Sequence, residues 1–189
     1  MATTAESARD RIQTAAVELL ARRGVAGTTT QEIARRARCS QAAIYKHWPG
    51  KEELARELFD TAHRAFLEAM EREAARRQRP SERVLGALLG LVRYARSHPA
   101  EYAFLFQVFH SDYARWLVSH PKPRDVVQRE LVRAMAAGEV SPGPAAAKTA
   151  LLLGMAIRLA FFERQGLVEG GPEALEEALV QGAAAVLEG

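Results

Sequence analysis

Apolar residues recur at intervals of three and four along almost the whole chain, and no segment of useful length alternates with the period of two that a half-buried strand requires. This spacing confines the chain to an all-α fold. Ile12, Ala15, Ala16, Leu19 and Leu20 form the first stripe, stopped by Gly24, and predict a helix over 7–23. Thr29 stands three residues before Glu32, the spacing of a reciprocal cap, and predicts a short helix over 30–37. After the turn Arg38-Cys39, Ser40 caps a second short helix over 41–47, with Ile44 and Trp48 inward and Pro49-Gly50 ending it. From 51 to 77 there is no breaker, and Leu54, Leu58, Ala62, Ala65, Phe66, Ala69 and Met70 make one stripe on a helix about 40 Å long. Proline and glycine punctuation then predicts helices over 81–97, 100–109, 112–118, 124–137, 142–165 and 172–187. The expected organisation is a three-helix head at 1–51 and a helical bundle at 52–189.

Several function classes are excluded by what is missing. The single cysteine, Cys39, leaves no disulfide framework and no cysteine-rich zinc module, and reads as a small packing residue. There is no Gly-rich phosphate loop, no dinucleotide fingerprint, no nucleophile elbow and no histidine pair at helical spacing, so neither an enzyme nor a bound metal or cofactor is expected. His98-Pro99 and His120-Pro121 read as helix terminators. The N-terminal MATTAESARDRI lacks the apolar core of a secretory signal. The most apolar stretch, 145–162, is interrupted by Lys148 and Arg158, whereas a bilayer span needs about 20 apolar residues. A soluble, cytoplasmic protein is the expectation.

Charge separates the two parts. Residues 1–51 carry nine basic side chains against four acidic ones, a net of +5 in a chain whose total is +3, so the remainder carries −2. A basic head on a slightly acidic body is the layout of a polyanion-binding module. Two short helices joined by a tight turn, the second capped by Ser40, match the helix-turn-helix arrangement, whose second helix enters the major groove. With Ile44 as the core direction and 100° per residue, Ala42 and Lys46 point away from the core and Ala43 and Tyr45 flank them. Ala42 and Ala43 suit close approach and thymine methyls, and Lys46 suits a base edge. Thr29, Ser40, Tyr45, His47 and Lys51 suit phosphates, while Gln41 suits either role. A helical adaptor or small-molecule-binding protein without DNA is the alternative, and it leaves the head's charge unexplained.

Residues 28–54, TTTQEIARRARCSQAAIYKHWPGKEEL, closely resemble the N-terminal domain of TetR-family transcriptional regulators in the Thr-Thr cap, the Ile-Ala of the second helix, the Ser cap, the tyrosine near the end of the reading helix and the Lys-Glu-Glu-Leu that follows. With the first helix and the long connector the resemblance spans about 45 residues. Three positions depart from the family's pattern: Arg38 replaces the common turn glycine, Trp48 the usual phenylalanine, and Gly50 stands where a Ser cap is common. A non-glycine residue at positive φ costs roughly 1–2 kcal/mol, so Arg38 is expected either to carry strain or to add a further phosphate contact. The resemblance implies DNA contacts at Thr29, Ser40, Gln41, Ala42, Ala43, Tyr45, Lys46, His47 and Lys51.

The body offers two further readings. The segment ALLLGMAIRLAFF at 150–162 is apolar on nearly every face and must be covered on all sides. Together with a stripe of Leu175, Ala178, Leu179, Ala183, Val186 and Leu187, it can form a four-helix interface between two copies through 142–165 and 172–187, as the family it resembles dimerises. A two-fold dimer expects double-stranded DNA with a near-palindromic operator. Tyr94, Tyr102, Phe104, Phe106, Phe109, Tyr113 and Trp116 gather most of the aromatics, and with Phe66, Met70, Met155 and Phe162 they are either plain core or the lining of a cavity. The resemblance implies a small effector bound in the body, with His98, Glu101, Gln107 and His110 near it in sequence; the expected pocket is Phe66, Met70, Tyr94, His98, Tyr102, Phe106, Phe109, Trp116, Met155 and Phe162.

Overall fold

The computed structural model describes residues 7–189, so Glu6, counted in the head's charge, and the rest of the first six residues lie outside the described residues. The described residues form nine α-helices: α1 (Ala8–Arg23), α2 (Thr30–Arg36), α3 (Gln41–Tyr45), α4 (Lys51–Ala75), α5 (Pro80–Ser97), α6 (Pro99–Phe109), α7 (Pro123–Ala136), α8 (Ala145–Arg164) and α9 (Gly171–Glu188). No strand occurs among them. The expected 112–118 helix is a 3-10 segment at Asp112–Leu117, its entry held by the Ser111 hydroxyl accepting from the Tyr113 N–H at 3.3 Å. Pro142 and Pro144 stay outside α8, which starts at Ala145.

These residues fold as two compact units: the chain up to Arg64 with Ala100–Ser119, and Ala65–Pro99 with His120–Gly189. The packing division therefore falls inside α4, because an uninterrupted helix gives one half to each unit, and α6 with the 3-10 segment groups with the head helices rather than with the bundle.

In the first unit α1 packs on α2 and α3. Ile12, Leu20, Ile33, Ile44 and Leu54 are fully buried, and Trp48 is 2% exposed. Both caps read from sequence are present: the Glu32 N–H donates to the Thr29 hydroxyl at 3.2 Å while the Thr29 N–H donates to the Glu32 carboxylate at 3.0 Å, and the Ala43 N–H donates to Ser40 Oγ at 3.2 Å. Each such cap is worth about 1 kcal/mol. A second group surrounds the buried His63, whose ring stacks on Phe59 at 5.3 Å and meets Phe109 edge-on at 6.3 Å, with Trp116 against Phe59 at 5.7 Å.

In the second unit α5 is the centre and packs on α7, α8 and α9. Its Gly86 and Gly90 lie against the end of α4 so closely that a Cβ would stand 2.6 Å from the Glu73 carbonyl and 2.7 Å from the Ala69 carbonyl. This Gly-x-x-x-Gly contact is an unread signal of the sequence. Carboxylates tie the surrounding helices. The buried Glu130 on α7 faces Arg83 at 3.0 Å, Arg129 at 3.2 Å and Arg133 at 3.0 Å; Glu176 on α9 receives Arg93 at 2.6 Å and Arg96 at 3.0 Å, and Arg93 also reaches Glu73 at 2.8 Å.

By length and composition α8 is apolar enough to cross a bilayer. Within the fold it packs on α5, α7 and α9: Leu152, Ala156 and Ala160 are buried, and the buried Lys148 donates to the Ser141 carbonyl at 3.1 Å and toward the Leu187 carbonyl at the end of α9 at 3.5 Å. Covering stops there. Leu151 is 59% exposed, and Ala147, Ala150, Gly154 and Arg158 are open on the same side.

Candidate nucleic-acid interface

Two short helices, α2 of seven residues and α3 of five, joined by the turn Ala37 to Ser40, form the expected helix-turn-helix. The turn works because Arg38 takes φ 53°, the one positive value outside glycine among the described residues, which allows the Cys39 N–H to donate to the Ala34 carbonyl at 3.0 Å. The strain expected of Arg38 is thus present. Ile44 is fully buried, so the helical period forces Gln41, Ala42, Tyr45 and Lys46 outward, and all four are exposed; Tyr45 shows 52% of its surface. Ala43 is half-buried, and Ser40, Thr29 and His47 are exposed. Tyr45 and the start of α2 meet where Thr30 Oγ1 and the tyrosine hydroxyl lie 3.5 Å apart. Eight of the nine expected DNA-contacting residues, all but Lys51, therefore sit at the surface of α2, α3 or the caps and turns beside them.

Lys51 is different. Its ammonium donates to the carbonyls of Val25 at 3.0 Å, Thr28 at 2.8 Å and, more weakly, Ala26 at 3.4 Å. An ammonium has three donors, and all three point at the loop between α1 and α2. The ammonium of Lys51, expected to meet a phosphate, is held here by its own chain: the loop after Arg23 turns these carbonyls away from any helical ladder, and the first residue of α4 donates to them. Spacing along the chain gives no sign of a contact made 23 to 26 residues away.

Two electrostatic details fix the unit. Hydrogen bonds from the side chain and backbone of Thr29 hold the Glu32 carboxyl below its ordinary value against the small cost of burial, and Arg23 adds to the effect. Burial pushes the Glu57 carboxyl up, but donors from Trp48, Arg9 and Gln13, with the charge of Arg9, outweigh it and bring it below the ordinary value. Sequence reasoning places Trp48 inward and misses that its indole N–H donates to Glu57 at 2.9 Å. A buried indole N–H needs an acceptor, and that requirement is the available signal.

The expected effector residues divide between the two units. Phe66, Met70, Tyr94, His98, Met155 and Phe162 belong to the bundle; Tyr102, Phe106, Phe109 and Trp116 belong to the other unit. Within the bundle, Phe66 and Tyr94 rings are 5.3 Å apart and Tyr94 stacks on His98 at 4.6 Å. Met155 turns its sulfur toward Gly182 of α9, 3.1 Å from where a Cβ would stand, and Phe162 lies under the Arg158 guanidinium at 4.4 Å. Tyr102 and Phe106 are 6.1 Å apart, and Phe106 stacks on His110 at 4.6 Å. Two clefts of about 340 and 380 Å³ lie elsewhere, the first lined by Arg11, Thr14, Glu18, Arg36 and Arg38, the second by Glu53, Arg56, Glu57, Asp60 and Arg64.

Residues 12–58 match the family model described as bacterial regulatory proteins, tetR family. No curated protein sequence matches the chain significantly. Among solved structures, the chain is similar to the TetR family transcriptional regulator PfmR from Thermus thermophilus, with 21% identity, TM-score 0.75 and coverage of 94% of this chain and 97% of that one. It is similar to a bacterial regulatory protein of the tetR family from Rhodococcus RHA1 at 19% identity, TM-score 0.80 and coverage of 96% and 97%. A gamma-butyrolactone receptor described as ArpA-like matches at 20% identity, TM-score 0.70 and 95% coverage of each chain. At these identities the structural likeness speaks for the fold, and the match at 12–58 falls on the helices whose caps, turn and exposed face are described above. The N-terminal helices thus match the tetR-family model over residues 12–58, and the chain as a whole shares the fold of solved tetR-family regulators.

Proposed function

We propose that the chain is a repressor that binds a near-palindromic operator as a two-fold dimer and is released by a small, largely apolar effector. The observation that carries this reading is the outward set Gln41, Ala42, Tyr45 and Lys46 on a helix whose opposite side is anchored by Ile44. Lys46 reads a base edge, Ala42 and Ala43 let the backbone approach, and Thr29, Ser40, Tyr45 and His47 set register on the phosphates, with Gln41 serving either purpose. Residues 1–51 are the reading head and 52–189 the body that dimerises and takes the effector.

The dimer reading is supported by the open side of α8, where Leu151, Gly154 and Ala150 stand in solvent with Ile157 and Phe161 half-covered. Of the α9 stripe, Leu175, Leu179, Ala183 and Leu187 are buried within the chain's own bundle, which leaves Ala178 and Val186 for a partner. Two copies related by a two-fold axis place two reading helices about 34 Å apart, one turn of duplex. The effector reading draws on residues of one unit, Phe66 and Met70 of α4, Tyr94 of α5 with His98 at its end, and Met155 and Phe162 of α8, and on the similar fold of a protein described as a gamma-butyrolactone receptor. An effector acts only through its different affinity for the DNA-bound and released arrangements, and α4, which carries Phe66 and Met70, is the lever.

Selection of bound duplexes from a random library tests the reading. A palindrome with half-sites one turn apart is the expected result, with steep loss of binding at higher salt. Enrichment of no sequence, together with salt-insensitive binding, overturns it in favour of a helical adaptor.

A further inference from the structure

One carboxylate collects three donors from two separate elements of the head. Glu57, one and a half turns into α4, accepts at Oε2 from the Trp48 indole N–H at 2.9 Å and at Oε1 from Arg9 at 2.7 Å and Gln13 at 3.0 Å. Arg9 and Gln13 stand one turn apart on α1, and the Arg9 guanidinium also lies over the Trp48 ring, 5.4 Å from its centroid. The ring of contacts is closed: α1 to α4, α4 to the indole, and the indole back to α1. Trp48 is in turn part of the reading helix's own hydrogen bonding, since its backbone N–H donates to the Ile44 carbonyl at 2.9 Å. Whatever fixes the indole therefore fixes the end of α3.

The geometry is more demanding than burial alone requires. Ile44 already anchors α3 to the core, and apolar contact tolerates small rotations because it has no direction. A helix of five residues has little contact area with which to resist such a rotation. A hydrogen bond has direction, and one made to a charged acceptor is among the stronger kinds. Base-edge recognition needs that angular control, whereas attraction to phosphates does not.

We propose that Glu57 is a positioning residue for sequence recognition, holding the Trp48 indole, and with it α3, at a fixed angle to α4 and α1. The proposal rests on the reading of α3 as the helix that enters the major groove. It separates two properties that a damaged fold would lose together: preference for the selected duplex, which depends on the angle of α3, and attraction to any duplex, which depends on the charge of the head.

The test uses the full chain and compares Trp48→Phe, which keeps the ring and removes the donor, with Glu57→Ala, Glu57→Gln and the double variant Trp48→Phe/Glu57→Ala. Binding to the selected duplex and to a random duplex is measured at two salt concentrations, with thermal unfolding alongside. The expected result is a loss of about tenfold in the preference for the selected over the random duplex for Trp48→Phe and for Glu57→Ala, as suits one hydrogen bond to a charged group. The double variant matches either single one, random-duplex binding and its salt slope stay within about twofold, and Glu57→Gln, which keeps an oxygen for the indole, stays near the parent chain. An unchanged preference in both single variants overturns the proposal while leaving the DNA-reading helix intact, and so does a loss shared equally by both duplexes and accompanied by a lower melting temperature. If the parent chain itself prefers no duplex, the reading beneath the proposal fails and takes it along.

Discussion

Replacing Lys51 with methionine tests whether this residue braces the head or touches DNA. Methionine keeps most of the unbranched stem and removes the three donors. Two of its bonds are well formed, at 2.8 Å to Thr28 and 3.0 Å to Val25, and the third, to Ala26 at 3.4 Å, is weak. A hydrogen bond from a charged group contributes about 1.5–3 kcal/mol, but Lys51 is only partly buried and water can reach the freed carbonyls, so the two good bonds together are worth about 2 kcal/mol. For a chain of this size each kcal/mol moves the melting temperature by about 2–4 °C, which puts the expected loss at about 4–8 °C by circular dichroism. The second measurement is the salt dependence of binding to a random duplex. A lysine that neutralised one phosphate would lower the slope by about 0.9 on removal, whereas one spent on carbonyls leaves it nearly unchanged. An unaltered melting temperature with a slope reduced by about one unit refutes the brace and restores Lys51 to the interface.

Other perturbations probe the bundle, the turn and the open helix. Gly90→Ala puts a methyl 2.7 Å from the Ala69 carbonyl and from the Met70 Cα, so it is expected to destabilise by about 1–3 kcal/mol in chemical denaturation despite alanine's better helix propensity; a stabilised variant would show that α4 and α5 are not in tight contact. Arg38→Gly removes a side chain held at φ 53° and is expected to stabilise by a few tenths to about 1 kcal/mol, and a net loss would mean that the arginine makes a compensating contact. Hydrogen bonds from Arg93, joined by Arg96, hold the Glu176 carboxyl below its ordinary value against the cost of burial, so the stability it contributes is present above that ordinary value and disappears as pH falls through the lower folded one. Glu176→Gln is accordingly expected to melt earlier than the parent at neutral pH and at the same temperature in strong acid; a difference that persists in acid would assign the effect to packing. Leu151→Glu tests the proposed dimer by placing a charge on the open side of α8 without touching the bundle core: light scattering is expected to report a dimer for the parent and a monomer of unchanged helicity for the variant; a variant that stays dimeric would move the interface elsewhere, and a monomeric parent would refute the dimer.

Local signals account for most of what is legible in the chain. The helix starts at Thr30 and Gln41 follow from caps made three residues apart, and the ends of α4, α5 and α9 agree with breakers within a residue or two, because each is decided by groups adjacent in sequence. Lys46 and Tyr45 are assignable to the outer side of α3 from the position of Ile44 alone, since a helix has one period and one buried direction. The missed features are those in which partners are far apart along the chain. Lys51 and the carbonyls it satisfies are separated by more than 20 residues, Arg9 and Glu57 by 48, and Arg93 and Glu176 by 83. Periodicity says which way a side chain points and nothing about what arrives opposite to it.

The same distinction explains why the aromatic residues gathered in sequence divide between the two units. Phe106, Phe109 and Trp116 share a stretch of sequence with Tyr94, yet they pack in different units, because the break at His98 redirects the chain: Tyr94 and His98 stack on each other at the end of α5, while the residues after Pro99 start a new helix with a new buried direction. Nearness in sequence is a poor guide to nearness in space across a proline, where the preceding residue is pushed out of the helical region. In the head the corresponding step is sound because its helices are joined by connections of four to six residues, too short to carry a side chain to another unit. Periodicity therefore orders the short helices of the head, while the bundle is set by which buried directions its helices bring together.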